Sequence, residues 1–282
     1  MATTAVPATI GVMGGGRMGA GIAHGFLSTG ARVICVDFDP DGARARIERD
    51  IDKSFERGAT GDKQDWYDRL ETSDSVEALA GLELVIEAVP EIFSLKEETF
   101  RKIAEVAPGA ILATNTSSLS ITDLASSFSR PERVLGLHFF NPVPASKLVE
   151  IVWSERTDSQ LVDKAKAWVE ALGKTPIVVK DSPGFASSRL GVVIALEAIR
   201  MVEEGVASPR DIDNAMVLGY KFPIGPLELT DIVGLDVRLG IAEYLESTLG
   251  ERFAPPQLMR DMVARGELGR KSGKGFYDYS EK

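Results

Sequence analysis

The chain has 282 residues, 44% hydrophobic and 26% charged, enough for two domains with separate cores. Its formal charge of -10 argues against nucleic acid or an anionic membrane as a general partner, while leaving room for a local basic pocket that takes a phosphorylated ligand. A lone cysteine, Cys35, excludes an intrachain disulfide, and residues 1 to 8 carry neither a basic n-region nor a long apolar h-region, so a cytoplasmic protein is expected.

Thr9 to Met13 reads as a short strand that runs into Gly14-Gly15-Gly16-Arg17-Met18-Gly19 and then into the helical pattern Ile22, Ala23, Phe26, Leu27, stopped by Gly30. In such a strand, glycine turn and helix, the first glycine permits the tight turn. Gly16 lets the backbone approach a pyrophosphate seated on the helix N-terminus, and Gly19 lets helix and strand pack closely. A second strand, Arg32 to Val36, holds Cys35 as a packed thiol and ends in Asp37. A carboxylate there accepts hydrogen bonds from an adenine-ribose 2′-hydroxyl and repels a 2′-phosphate, which favours NAD over NADP.

Asp39-Pro40-Asp41 opens a charge-laced helical region to about Arg57, which reads as a solvated face. Leu70 to Thr72 forms a short strand. Leu82 to Val89 is a buried one, followed by Pro90-Glu91 and a helix from Ser94 to Val106. In open parallel sheets ligands lie beyond the carboxyl ends of the strands, so Glu91 and Lys96 are candidate cofactor neighbours; the bland alternative is a pair of helix-start charges. Ile111 to Thr114 ends in the turn Asn115-Thr116-Ser117-Ser118, whose hydroxyls either cap the next helix or face a ligand.

Val134 to Phe140 carries His138, one of two histidines, and is broken by Asn141-Pro142-Val143-Pro144; Leu148 to Val152 returns with Glu150. If those segments are neighbours, the carboxylate meets the imidazole, fixes its tautomer and leaves the other ring nitrogen to exchange a proton near neutral pH. The competing reading is a satisfied core histidine beside an edge-strand charge.

After a helix from Leu161 to Leu172 and a last strand, Thr175 to Val179, the pattern changes. Ser182-Pro183 reads as a helix start, and from Gly184 apolar residues recur at mostly helical spacing to Gly205. Pro209 to Leu218, Pro226 to Ile232, Asp236 to Thr248 and Pro255 to Arg265 follow as further helices. The expected architecture is an α/β Rossmann-type doubly wound, mostly parallel sheet over residues 1–183, then an all-helical domain over 184–282, whose apolar first helix suits packing against a second subunit.

These residues resemble the 3-hydroxyacyl-CoA dehydrogenases, including the short-chain 3-hydroxybutyryl-CoA enzymes. The matching stretches are GGGRMGAGIA from Gly14, ATNTSSLSI from Ala113, GLHFFNPVPASKLVEIV from Gly136, KDSPGFASSRL from Lys180, GPLELTDIVGLD from Gly225 and GRKSGKGFYDY from Gly269. The resemblance implies that His138 is the catalytic base, Glu150 its partner and Ser117 a hydrogen-bond donor to the substrate's 3-oxygen. It implies NAD contacts at Asp37, Glu91, Lys96, Asn141 and Lys271, beside Asn115 and the turn residues Gly14, Gly16, Arg17, Met18 and Gly19. It also implies a homodimer through the helical domain, an acyl-CoA thioester in a cleft between domains, and no metal.

One position departs from the family pattern. Where asparagine usually precedes the arginine of the PGF segment, this chain has Ser188 before Arg189, a shorter side chain with one rotatable hydroxyl in place of an amide donor to the thioester or 3-oxygen. Rival readings are a dehydrogenase of free hydroxy acids or sugar acids, and a non-catalytic NAD-binding relative. The hydroxyisobutyrate-type enzymes use a catalytic lysine on the interdomain helix, and Gly184 to Arg200 contains none. Acyl-chain length, any terminal group such as a carboxylate, stereochemistry and physiological direction stay open.

Overall fold

The apolar runs become eight short strands of a single sheet in the computed structural model, which describes residues 6–280. The reading of the first eight residues falls largely outside that range. In chain order the elements of the N-terminal unit are β1 (Thr9–Met13), α1 (Arg17–Ser28), β2 (Arg32–Val36), α2 (Pro40–Glu56), α3 (Lys63–Asp68), β3 (Leu70–Ser73), β4 (Leu84–Glu87), α4 (Phe93–Val106), β5 (Ile111–Thr114), α5 (Ile121–Ser126), β6 (Val134–Phe139), β7 (Leu148–Trp153), α6 (Ser159–Ala171) and β8 (Thr175–Lys180). The strand order is β3-β2-β1-β4-β5-β6-β7-β8. The first six strands run parallel, β7 pairs antiparallel with β6, and β8 runs parallel to β7.

Strands β4, β5 and β6 are buried along their whole length, as parallel strands covered on both faces must be. The order reverses between β1 and β4, and at such a switch point the loops leave in opposite directions and open a crevice at the carboxyl edge. The helices are stopped and started by local chemistry. Asp39 caps α2 by accepting the Gly42 N–H at 3.0 Å with Pro40 at the first helical position, and Asp158 caps α6 through the Gln160 N–H. Helix α3, capped by Asp62, carries no expectation from the sequence because its six residues are too few to show a period; it buries Trp66 edge-on against Phe55 at 5.3 Å.

The second compact unit begins at Pro183 and is helical: α7 (Ser187–Glu203), α8 (Pro209–Asn214), α9 (Pro226–Val233), α10 (Leu235–Leu249) and α11 (Gln257–Ala264). Helix α7 starts later than the apolar pattern suggests, because Gly184 (φ 75) and Phe185 (φ 49) take left-handed backbone that no right-handed helix contains. The pattern from Pro209 also divides: α8 ends at Asn214 and Ala215–Gly219 forms a π-helical turn. The core gathers Val192, Leu196, Ile199, Leu227, Leu245 and Met259. Two buried aspartates tie the chain's end to α9. Asp213 accepts the Leu227 and Glu228 N–H groups and the Tyr277 hydroxyl, and Asp231 accepts the Phe276 and Tyr277 N–H groups and the Tyr279 hydroxyl. The GKGFYDY stretch is therefore a structural clasp. Among the described residues no helix is long and apolar enough to cross a membrane.

Candidate active site

The glycine turn between β1 and α1 is built for close approach. Gly14 sits at φ 99, and a Cβ on Gly19 would lie 1.7 Å from the Gly14 carbonyl oxygen, so only glycine lets the helix start against the strand. Gly16 is exposed, and a Cβ there would meet nothing within 4 Å, so open space lies beside its backbone where a ligand's phosphates would come. Helix α1 has Gly16 at its cap, with no side-chain cap and no acid in its first turn, leaving its N-terminal amides for an anion. Arg17 is exposed and Met18 half-buried at this turn.

Asp37 follows β2 with its carboxylate held by backbone: Oδ2 accepts the Gly15 N–H at 2.6 Å and Oδ1 the Asp39 N–H at 3.0 Å. That fixes an acid beside the turn, where a ribose diol would sit. The next residue, Phe38, is 96% exposed, a flat apolar face next to the ribose position that pattern reading passed over. Its signal was an aromatic directly after the strand-end acid. Arg46 Nε donates to the Gly15 carbonyl at 2.8 Å and braces the turn from α2.

At the end of β4 stands Glu87, fully buried and unremarked in the sequence although it is a lone acid inside LELVIEAV. It accepts the Val89 N–H, the Thr114 hydroxyl and the Lys96 ammonium, each at 2.7 Å. Burial pushes its pKa up in spite of Lys96. Lys96 is 1% exposed, and its Nζ is taken up by Glu87, by the Val89 carbonyl at 3.0 Å and by Glu91 at 3.4 Å, so the ammonium is committed to the protein's own edge. Glu91 in turn gathers the hydroxyl-rich turn, accepting from the Thr116 hydroxyl at 2.5 Å, the Ser117 N–H at 2.8 Å and the Ser118 N–H at 3.1 Å. Burial raises its pKa, but Lys96 and these donors outweigh it and hold the carboxyl below its ordinary value.

The same edge carries the imidazole. His138 and Glu150 are directly opposite in the antiparallel β6·β7 ladder, which points their side chains to one face. His138 Nδ1 lies 2.7 Å from Glu150 Oε2, with the acid fully buried and the ring 4.5 Å from that of Phe140. Beside an ionised carboxylate, which can only accept, the ring would carry its proton on Nδ1. Asn115, at the end of β5, accepts the Phe139 N–H with its Oδ1 at 2.9 Å and so pins β6 beside His138. Ser117 is half-buried in the adjoining turn, and Asn141 begins the cis Asn141–Pro142 bond just after β6.

A cavity of about 420 Å³ opens beside this bend, lined by Arg17, Asp50, Lys53, Ser54, Arg57 and the 141–145 segment. Lys53 in α2 and Arg57 at its C-terminal cap are both exposed, as the charge pattern implies, and also rim this hollow. The remaining expected residues belong to the helical unit: Lys271 pairs with Asp236 at 2.6 Å, and Ser188 is half-buried in the first turn of α7. Among the described residues no group of three or more His, Cys, Asp or Glu is placed to hold a metal ion.

A glycine turn at an uncapped helix start with a backbone-held acid beside it, and a carboxylate-paired imidazole three strands away at the same carboxyl edge, fit an NAD-dependent dehydrogenase. The dinucleotide fits the residues present, on the open space at Gly16 and the uncapped start of α1.

Comparison with known proteins gives the particular family. Residues 9–182 match the NAD binding domain of 3-hydroxyacyl-CoA dehydrogenase and residues 184–279 its C-terminal domain. A probable 3-hydroxybutyryl-CoA dehydrogenase of Bacillus subtilis is 41% identical over 278 residues, covering 96% of this chain and 97% of that one. The mitochondrial hydroxyacyl-coenzyme A dehydrogenase of Mus musculus is 40% identical, covering 95% and 90%. The crystal structure of (S)-3-hydroxybutyryl-CoA dehydrogenase from Ralstonia eutropha superposes with a TM-score of 0.93 at 39% identity, covering 98% of this chain and all of that one. The chain belongs to the 3-hydroxyacyl-CoA dehydrogenase family, and its cofactor is NAD.

Proposed function

We propose that the chain interconverts short-chain 3-hydroxyacyl-CoA and 3-ketoacyl-CoA thioesters, of the size of 3-hydroxybutyryl-CoA and acetoacetyl-CoA, with His138 as general acid and base. The observation that carries this reading is the 2.7 Å contact between His138 Nδ1 and the buried carboxylate of Glu150. In the oxidative direction Nε2 takes the proton of the 3-hydroxyl, and Glu150 stabilises the imidazolium that forms. The glycine turn at Gly16 and Asp37 would hold NAD, which would supply the hydride acceptor for C3. In the reductive direction the imidazolium returns its proton to the developing alkoxide. Ser117 donates a hydrogen bond to the same oxygen, and Ser188 stands where the family's usual asparagine would.

The cavity rimmed by Arg17, Lys53 and Arg57 supports a coenzyme A thioester, since three cations against the single acid Asp50, on an otherwise acidic protein, suit its phosphates. The helical unit exposes Leu190, Leu218, Tyr220, Ile232, Val233 and Val237, which supports a homodimer through that unit. The working compartment in this reading is the cytoplasm. The test is His138→Gln, which removes the exchangeable nitrogen but keeps a polar side chain of similar size. Turnover falls by roughly 10²–10⁴ while NADH affinity is retained; undiminished turnover refutes the assignment.

A further inference from the structure

His24, the second of the chain's two histidines, lies on the buried face of α1, where its neighbours along the helix include Ala20, Ala23 and Leu27. It is 6% exposed, with Nε2 2.7 Å from the Ser54 hydroxyl of α2 and Nδ1 without a hydrogen-bond partner among the described residues. Its ring centroid is 5.7 Å from that of Trp66 in α3. Burial draws its pKa below the ordinary imidazole value, Asp50 opposing and Lys174 adding to the effect, so the ring is neutral at neutral pH. A buried ring with one nitrogen unmet costs stability that an aliphatic side chain packed between the same helices would not.

Ser54 is half-buried and lines the cavity of about 420 Å³ with Arg17, Asp50, Lys53, Arg57 and the 141–145 segment, all within the N-terminal unit. Helix α1 also braces that segment. A Cβ on Gly21, one turn before His24, would lie 2.7 Å from the Val143 Cβ, so only a glycine lets the bend rest on the helix. Lys174 Nζ donates to the Val143 carbonyl at 2.6 Å and the Ser146 carbonyl at 2.5 Å, which ties the same bend down and commits that ammonium to it. The helix carrying His24 thus contacts both segments that line the hollow, and the ring acts on the α2 side through a single hydrogen bond.

We propose that His24 is a positioning residue for the phosphates of a coenzyme A thioester, holding Ser54 as a hydrogen-bond donor aimed into this cavity. Nε2–H donates to the Ser54 oxygen, and the serine's own proton then turns toward the phosphate. With the opposite tautomer Ser54 would spend its proton on the ring and offer an anion only lone pairs. The unpartnered Nδ1 fits the first arrangement, in which it is a bare acceptor and not an orphaned N–H, the rarer defect of the two. Exposed Arg17, Lys53 and Arg57 supply charge, whereas Ser54 supplies a donor whose direction the core fixes. This deepens the 3-hydroxyacyl-CoA reading and rests on it.

The test measures kcat and KM for acetoacetyl-CoA and for acetoacetyl-pantetheine, which keeps the thioester and lacks the phosphates, together with KM for NADH, in full-length wild type and variants. Ser54→Ala and His24→Leu each raise KM for acetoacetyl-CoA roughly tenfold, the worth of one hydrogen bond to a charged group. His24→Leu leaves no unmet buried nitrogen and so keeps the fold; kcat, KM for the pantetheine thioester and KM for NADH stay within about twofold of wild type. His24→Gln, whose amide reaches Ser54 from the same place, keeps KM for acetoacetyl-CoA within about threefold. In a Ser54→Ala background His24→Leu adds less than about twofold, because the ring acts only through the hydroxyl. An unchanged KM in His24→Leu, an equal rise on both thioesters, or a full further loss in the Ser54→Ala background overturns the proposal. A rise in KM for NADH alone overturns it too, by giving the cavity to the dinucleotide's phosphates. Equal KM for the two thioesters in wild type removes the coenzyme A reading of the cavity and the proposal together, whereas a wild-type preference for acetoacetyl-CoA that His24→Leu leaves intact removes the proposal alone.

Discussion

Glu150→Gln is the substitution that separates an oriented catalytic imidazole from a merely buried one. The side chain keeps its volume in a fully buried position of β7, so the sheet is retained, but the charge facing His138 at 2.7 Å is lost. When His138 takes the substrate proton, the imidazolium and carboxylate charge centres are roughly 4 Å apart, worth about 4 kcal/mol at an effective dielectric constant of about 20. That converts to about 10³ in rate. A glutamine amide can also turn its N–H₂ toward Nδ1 and hold the wrong tautomer, which pushes the loss toward about 10⁴. The assay is steady-state oxidation of NADH by a 3-ketoacyl-CoA, with NADH affinity followed by fluorescence. The expected result is a kcat lower by 10³–10⁴, with NADH affinity close to wild type because Asp37 and the glycine turn lie on other strands. A kcat within about threefold of wild type would refute the electrostatic role given to Glu150.

Three further outcomes follow from the same edge. Asp37→Ala removes the carboxylate proposed to accept the ribose hydroxyls, raising the KM for NADH about 10- to 100-fold and narrowing the gap to NADPH, as measured by paired cofactor titrations. Lys96→Met leaves Glu87 buried without its cation and costs about 3–5 kcal/mol in urea unfolding, part of which Glu87→Gln in the same chain restores. Glu91 has a folded pKa below its unfolded one, so its stabilisation is present above the ordinary carboxylate range and lost as pH falls through the lowered value. Glu91→Gln therefore melts below wild type at neutral pH, and the two curves converge in acid.

Much of the sheet was legible because its signals are local. The strands Thr9–Met13 and Arg32–Val36 are bounded by glycines and by Asp37, and each is an apolar run that only a two-sided sheet buries. The facing of His138 and Glu150 was legible too, since a proline-broken bend between two apolar runs implies neighbouring strands. What escaped was decided by partners far along the chain. Lys96 looked available from position alone, but its place under the edge depends on Glu87, whose burial comes from β1 and β5 on either side. The late start of α7 turns on two left-handed residues that an apolar period does not register. Lys53 and Arg57 are solvent-facing, as the charge pattern implies, but helix periodicity is blind to the loop at 141–145 that forms a cavity beside them.

The central claim is that one sheet edge brings NAD and a carboxylate-held imidazole to the 3-position of a coenzyme A thioester. It is tested most directly by following NADH oxidation with 3-ketoacyl-CoA thioesters beside the corresponding free 3-keto acids, in wild type and His138→Gln. The account predicts rapid oxidation with the thioesters, little with the free acids, and a loss on the order of 10²–10⁴ in the variant. Equal rates with thioester and free acid, or a His138→Gln enzyme as fast as wild type, would contradict it.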